Sequence, residues 1–300
     1  MIDLHTHSNY SDGGLSPDML IAEAVKLGLS AIALTDHDTI DGLDSAKAAV
    51  KRQNLQEKIH FIPGIEININ WTYGHYPRGV CGMGPGGEFH LLGLGINSPS
   101  RNFLAAVEKL FKRREARNRE ILNRMNEHSI DATWEELLET AGSNNPGHSL
   151  GRPHFAALLI KRKIVKSTKQ AFARYLAVGK PFYVSKEGLV FEEAAALIRE
   201  SGGIPVLAHP KSLYVAWGKL PGLIKSLKDM GLMGLEAWHP TAKPGSCRRL
   251  ELLAKSLGLF VTEGSDFHGS IRPDHKLGYS SKGRKISDTV LEAIPALACN

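Results

Sequence analysis

Cysteine is scarce in this 300-residue chain: only Cys81, Cys247 and Cys299 occur. They are scattered without the spacing of a zinc ribbon or a disulfide framework, which excludes both and fits a reducing, cytoplasmic setting. No run of eighteen apolar residues is present, so no membrane span is expected. The opening Met1-Ile2-Asp3-Leu4-His5 lacks the basic and apolar regions of a secretory leader, and none is expected. A phosphate-cradling G-x-x-x-x-G-K-[ST] loop is also missing, so P-loop ATPase chemistry has no support.

What remains is an ordinary globular composition, 42% hydrophobic and 23% charged, long enough for one large barrel or two modest domains. The net charge of +6 is unevenly spread. Residues 101–180 hold 16 Lys and Arg against 8 Asp and Glu, whereas the other 220 residues hold 21 against 23. A basic segment of this kind is either a solvated helical face or an attractor of a polyanionic substrate.

Hydrophobic patterning predicts strands at 1–5, 31–35, 59–69 (interrupted by Pro63-Gly64), 89–96, 203–208, 232–237 and 259–262. Helices are predicted at 17–27, 42–53, 191–201, 221–230 and 246–257. Such alternation implies a parallel α/β arrangement. Residues 101–180 show only helical periodicity and read as an insertion between barrel segments 1–100 and 181–300. A Gly- and Pro-rich loop, 74–88, lies between two strands and contains His75 and Cys81, both read as unrelated to metal.

Seven of the thirteen histidines fall at or just after predicted strand ends. His5-x-His7 places two imidazoles on one side of a strand. Asp36-His37-Asp38, Glu66, His90, His209, His239 and Asp266-Phe-His268 follow on others. In a barrel such ends share one rim, and a ring of imidazoles and carboxylates calls for a divalent cation. His60, His128, His148 and His275 read as surface or loop residues. His239 is open between a structural and a substrate-contacting role.

The ordered set H-x-H-S, S-D-G, T-D-H-D, G-I-E, F-H, R-P-H, L-A-H-P and G-S-D-F-H, from His5 to about Tyr279, resembles the PHP (polymerase and histidinol phosphatase) family. It looks closest to the branch of 3′,5′-nucleotide bisphosphate phosphatases and related 5′-to-3′ exoribonucleases. The resemblance implies an α/β fold, a distorted seven-stranded barrel, with two or three divalent metals, manganese first and iron or zinc as alternatives. It implies His5, His7, Asp12, His37, Glu66, His90, His154, Asp266 and His268 as ligands, with Glu66 bridging. His154 reads as a helix-start histidine on its own, and only the motif makes it a ligand. The long 74–88 loop departs from the short turn of the family.

On a helix from Phe103 to Met125, Arg114 falls within the apolar stripe and Arg117 near its edge, with Lys112 and Arg119 opposite. An inward arginine needs an anion, either a carboxylate of the protein or a substrate phosphate. With the resemblance, phosphate is expected for both, Lys180 and Tyr183 are expected near the site, and His209 is the first candidate for general acid. The expected activity is hydrolysis of phosphate esters of nucleotides, extending to the 5′ ends of short RNA, with no membrane involved and no protein partner inferable. Two alternatives stand beside it. An amidohydrolase acting on C–N bonds would need a metal-bridging lysine at a strand end, which is missing. A non-catalytic nucleic-acid-binding module would need a closed structural metal shell.

Overall fold

The computed structural model describes residues 1–70, 87–142 and 148–298, so the expectations for His75, Cys81 and most of loop 74–88 fall outside the described residues. The first third alternates β1 (Ile2–Asp3), α1 (Pro17–Lys26), β2 (Ala31–Leu34), α2 (Leu43–Arg52), β3 (His60–Asn68) and β4 (His90–Leu94). Four helices follow: α3 (Arg101–Glu127), α4 (Trp134–Thr140), α5 (Arg152–Lys161) and α6 (Thr168–Ala171). Alternation then resumes with α7 (Phe191–Glu200), β5 (Ile204–Leu207), α8 (Leu220–Asp229), β6 (Gly234–Trp238), α9 (Pro244–Ser256) and β7 (Phe260–Glu263). The strands form one sheet in the order β1 to β7. A bridge between Thr6 and Phe267, with the His7 amide donating to the Phe267 carbonyl at 3.0 Å, brings its two ends together into a nearly closed barrel.

Pairing is parallel except at β4, which runs antiparallel to both β3 and β5. This corrects the expectation of a parallel arrangement and explains His90. The residue opens its strand rather than ending it, and reversal of β4 brings that opening to the rim where the other strands end. The strand through Pro63-Gly64 is continuous, not interrupted. Residues 60–63 pair with β2 and 64–68 with β4, so the change of partner falls at the proline that has no N–H to offer.

Side-chain alternation then divides apolar from polar. Ile62, Leu92, Leu94, Ile204, Val206 and Ala208 share an inner cluster closed by Ile294 and Leu297 from the C-terminal segment. Their strand neighbours Ile65, Ile67, Leu91, Leu207 and Leu235 pack outward with residues of α3, α7, α8 and α9. Each such buried aliphatic side chain contributes about 1.5–3 kcal/mol. Steps of two along the inner face run Ile62, Gly64, Glu66 on β3 and Leu94, Leu92, His90 on β4. The barrel is thus apolar below and ionisable at its rim.

Ser100 caps α3 by accepting from the Phe103 amide. The first half of this helix packs on the barrel through Phe103, Val107 and Leu110. Its second half, Ile121, Leu122 and Met125, joins a separate cluster with Phe155, Leu158, Leu159 and Phe182. Arg114 and Arg117 lie between these two apolar stretches and are buried, whereas Lys112 and Arg119 are exposed, as the helical phase predicts.

Candidate metal centre and phosphate cleft

Eight of the nine expected ligands converge at the rim. Donor atoms of His5, His7, Glu66 and Asp266 lie within 4.8 Å of one another, as do those of His7, Asp12, His37 and His268, and those of His37, Glu66 and His90. Glu66 stands between the groups. Its Oε2 faces His37 Nδ1 at 2.9 Å, His7 Nε2 at 3.3 Å and His5 Nε2 at 3.4 Å. Its Oε1 faces His90 Nδ1 at 2.8 Å and His209 Nε2 at 2.9 Å.

Six of these atoms, His5 Nε2, His7 Nε2, Asp12 Oδ1, His37 Nδ1, Glu66 Oε2 and His268 Nε2, are buried without a hydrogen-bond partner. Leaving one buried polar group unsatisfied costs about 1–3 kcal/mol. Six that face one another make sense as a cradle for cations, and mixed imidazole and carboxylate donors suit divalent ions.

Burial, reinforced by His268 and His37, lowers His7 to about 3. Burial also lowers His90 to about 4, against the pull of Glu66. Both rings are neutral at pH 7 and keep a lone pair. His5 goes the other way. Burial would lower it, but Glu236, Glu66 and Asp266 together raise it well above the ordinary imidazole value.

Around the donors a second layer fixes their orientation, as metal sites require. Glu236 accepts from His5 Nδ1 at 2.9 Å and from the His209 amide at 2.6 Å. Asp36 accepts from the Ser8 amide and from the Ser8 and Ser11 hydroxyls, holding the turn that carries Asp12. Asp38, His209 and Asp266 all have positive φ, a sparsely populated conformation for residues other than glycine.

His154 stands apart from every convergent group. It opens α5, where its Nδ1 accepts from the Gly151 amide at 2.9 Å. An accepting Nδ1 leaves the ring proton on Nε2, which removes that lone pair from ligation. The helix-start reading describes this residue's position at the opening of α5. His209 lines the rim cavity, where a general acid was expected. Its Nδ1 meets Ser212 Oγ at 2.7 Å and its Nε2 lies 2.9 Å from Glu66 Oε1 beside His90. His239 lines the rim, with Nε2 3.3 Å from Asp266 Oδ2, and His275 is buried with Nδ1 2.9 Å from the Asp266 carbonyl oxygen.

The rim opens into a cavity of about 190 Å³ lined by His37, Glu66, His90, His209, His239 and Arg272, among others. Next to it a cleft is lined by Asp38, Asn68, Arg113, Arg114, Arg117 and Lys186. Arg114 already has its anion. Its Nε donates to Asp38 Oδ2 at 3.1 Å, and Nη2 pairs with the same oxygen. The carboxylate alternative is thus met for Arg114, which also lines the cleft.

Arg117 has no carboxylate hydrogen-bonded to it among the described residues; Nε and Nη2 reach only Asn118 Oδ1, at 3.3 and 2.8 Å. Burial, with Arg114 and Arg152 close by, lowers it to about 9, so it is still a cation at pH 7. Lys186 Nζ lies 3.0 Å from Glu88 Oε2 and 3.4 Å from His90 Nε2. Arg152 holds the other Glu88 oxygen at 2.6 Å and lies 5.7 Å from the Tyr183 ring centroid. Lys180 is exposed, and no polar contact of its side chain joins it to the site among the described residues.

Residues not anticipated are therefore Glu236, Glu88, Arg152, Arg272 and Lys186. Glu236 had a readable signal, a carboxylate inside the apolar strand Gly234–Trp238. Lys186 had none. Another stretch, Gly147-His148-Ser149-Leu150-Gly151, carries the letters of a serine-hydrolase elbow. No strand leads into it among the described residues, and Ser149 is buried at 1% exposure with Oγ unpartnered, so the elbow context is missing.

The model of the PHP domain matches residues 3–185. The chain belongs to the PHP family. The PHP chain is 33% identical over 269 residues to the 5′-3′ exoribonuclease Rnm of Salmonella typhimurium, covering 89% of this chain and 84% of that protein. It is 30% identical over 279 residues to the 3′,5′-nucleoside bisphosphate phosphatase of Chromobacterium violaceum, covering 93% and 91%. Among solved structures, a Bifidobacterium adolescentis protein described as a metal-dependent phosphoesterase superposes with a TM-score of 0.81 at 26% identity, covering 98% of this chain and 96% of that one. No helix of the PHP chain is long and apolar enough to cross a membrane among the described residues.

Proposed function

We infer that this PHP chain, a metal-dependent phosphoesterase, hydrolyses 3′,5′-nucleotide bisphosphates and the 5′ ends of short RNA. The observation that carries the reading is the set of six unpartnered donor atoms facing one another at the rim. His5, His7, Glu66 and Asp266 would hold one ion, and Asp12, His37 and His268 a second. A third would lie at Glu66 and His90, with His209 as the added donor although its nitrogen falls outside the 4.8 Å groups. Ser212 orients that ring. Manganese is the first candidate, with iron and zinc beside it, because mixed imidazole and carboxylate donors suit all three. Bound divalent ions supply neutralisation of phosphoryl charge and ready ionisation of water near pH 7.

The protein's own residues do the rest by positioning. Glu66 holds the groups in register, and Glu236 fixes the His5 ring. Arg117, buried and without a carboxylate, offers a planar fork to a second phosphate of the substrate. Arg114 acts through Asp38, keeping that carboxylate away from the cleft's anion. Residues 101–180 serve as the unit that brings these cations over the barrel. Glu66, not a lysine, occupies the bridging place, which disfavours the C–N hydrolase. The open cavity disfavours a closed structural metal site.

The test is phosphate release by Mn²⁺-loaded protein from 3′-phosphoadenosine 5′-phosphate and AMP, and release of the 5′-terminal mononucleotide from short 5′-phosphorylated RNA. Preference for the bisphosphate and RNA over AMP is expected. Equal rates on all three would remove the role given to Arg117.

A further inference from the structure

Two segments leave the catalytic rim with a composition that the hydrolytic site does not use. Residues 209–228, the loop after β5 running into α8, and 239–250, the loop after β6 running into α9, contain no Asp or Glu. They do carry Lys211, Lys243, Arg248 and Arg249, the last three of them exposed. Both loops border the cavity, through His209 and Ser212 on one side and His239 and Thr241 on the other.

Trp217 joins the two loops. The Lys211 ammonium lies 4.8 Å and the Arg249 guanidinium 4.1 Å from its ring centroid. Two residues beyond Ser212, Tyr214 has φ of +52° and is 72% exposed. A bulky residue rarely adopts this conformation, and here it presents an aromatic face to solvent within the same basic lip. Cations interleaved with aromatic rings suit a single nucleic-acid strand, with phosphates on the charges and bases on the rings.

We propose that this lip holds the part of a single-stranded RNA that extends beyond the terminal nucleotide in the cavity. The proposal rests on the phosphoesterase reading and sharpens it, because it assigns a place to the nucleotides that a bisphosphate lacks and a short RNA has. Binding of the extension is sequence-tolerant and weakens with salt, about 0.7 log units of affinity per tenfold salt for each phosphate engaged.

The experiment compares wild type, Tyr214→Ala and the double variant Lys211→Gln/Arg249→Gln. Fluorescence anisotropy without added metal reads binding of labelled 5′-phosphorylated RNA of two and six nucleotides. Phosphate release from 3′-phosphoadenosine 5′-phosphate by the Mn²⁺-loaded protein reads the catalytic site. Wild type should bind the hexamer at least roughly tenfold more tightly than the dimer, and each variant should lose most of that gain. Bisphosphate kcat/KM should stay within about twofold in both variants. A hexamer bound no better than a dimer, or variants that keep the full gain, would overturn the proposal. So would variants that lose bisphosphate turnover in parallel, since that reports disruption of the fold. Wild type inactive on every phosphate ester would instead defeat the phosphoesterase reading, while the binding comparison still decides the lip.

Discussion

Arg114 and Arg117 sit three positions apart on one helix, both buried, yet have opposite relations to the fold. Arg114 neutralises Asp38, whose carboxyl is kept low because this guanidinium and the Asn68 amide outweigh its burial. Removing one partner of a buried pair costs about 3–5 kcal/mol. Arg114→Ala should therefore lower the melting temperature sharply in scanning calorimetry. Arg117→Ala removes a buried cation with no carboxylate bonded to it, so the melting temperature should stay level or rise. KM for the bisphosphate should increase roughly tenfold or more, the worth of a charge-assisted contact. A reversed pattern, with Arg117 stabilising and Arg114 setting KM, would contradict both assignments. At the same scale, His154→Ala should keep its bound metal and lose about 1 kcal/mol of helix-end stability. His209→Ala should lose one equivalent, as read by elemental analysis. Metal loss in the first variant alone would restore His154 as a ligand.

At the scale of elements, legibility followed how local the determinant was. His5-x-His7, the Asp36-His37-Asp38 turn and Asp266-Phe-His268 are short patterns at strand ends, and periodicity placed them at one rim. The reversal of β4 was not readable, because strand direction depends on the path of the chain between Asn70 and Glu88 and not on the alternation of His90–Leu94. Lys186 was unreadable for a similar reason: only the tertiary approach of its loop to β4 gives it Glu88 and His90 as neighbours. Phase along α3 correctly turned two arginines inward, but a helical wheel cannot see that Asp38 waits for one of them. The continuity of β3 supplies a prediction. A Cβ on Gly64 would meet the Gly93 carbonyl oxygen and Thr35 Cγ2, each at 2.9 Å. Gly64→Ala should thus cost about 1–3 kcal/mol and disturb Glu66 two residues on. Unchanged thermal unfolding would show that β3 and β4 are less tightly apposed.

For the whole molecule, the site's charge state governs how it takes up ions. In the ligand-free protein, Glu236, Glu66 and Asp266 outweigh burial, so His5 holds its second ring proton more strongly than a free imidazole. Glu66 is held well below its ordinary value, because His37, His90 and His5 outweigh its burial, so it is ionised. A cation must expel the imidazole proton, so affinity should rise with pH through the neutral range, and binding at pH 7 should release protons. Calorimetry in two buffers of different ionisation enthalpy reads this directly; identical heats would contradict it. The net charge of +8 in residues 101–180, set beside a slightly acidic remainder, now has a local meaning. Pairs such as Lys112 with Glu108 and Arg119 with Glu115 cancel on the exposed face, whereas Arg117 is a buried cation with no carboxylate hydrogen-bonded to it among the described residues. The most direct measurement of the account is phosphate release from 3′-phosphoadenosine 5′-phosphate, followed as stripped protein is reloaded with Mn²⁺, for wild type and His7→Ala. Release that grows with bound metal in wild type and is abolished in His7→Ala is the predicted result. Fully loaded wild type that frees no phosphate from any nucleotide, or His7→Ala working at the wild-type rate, would contradict it.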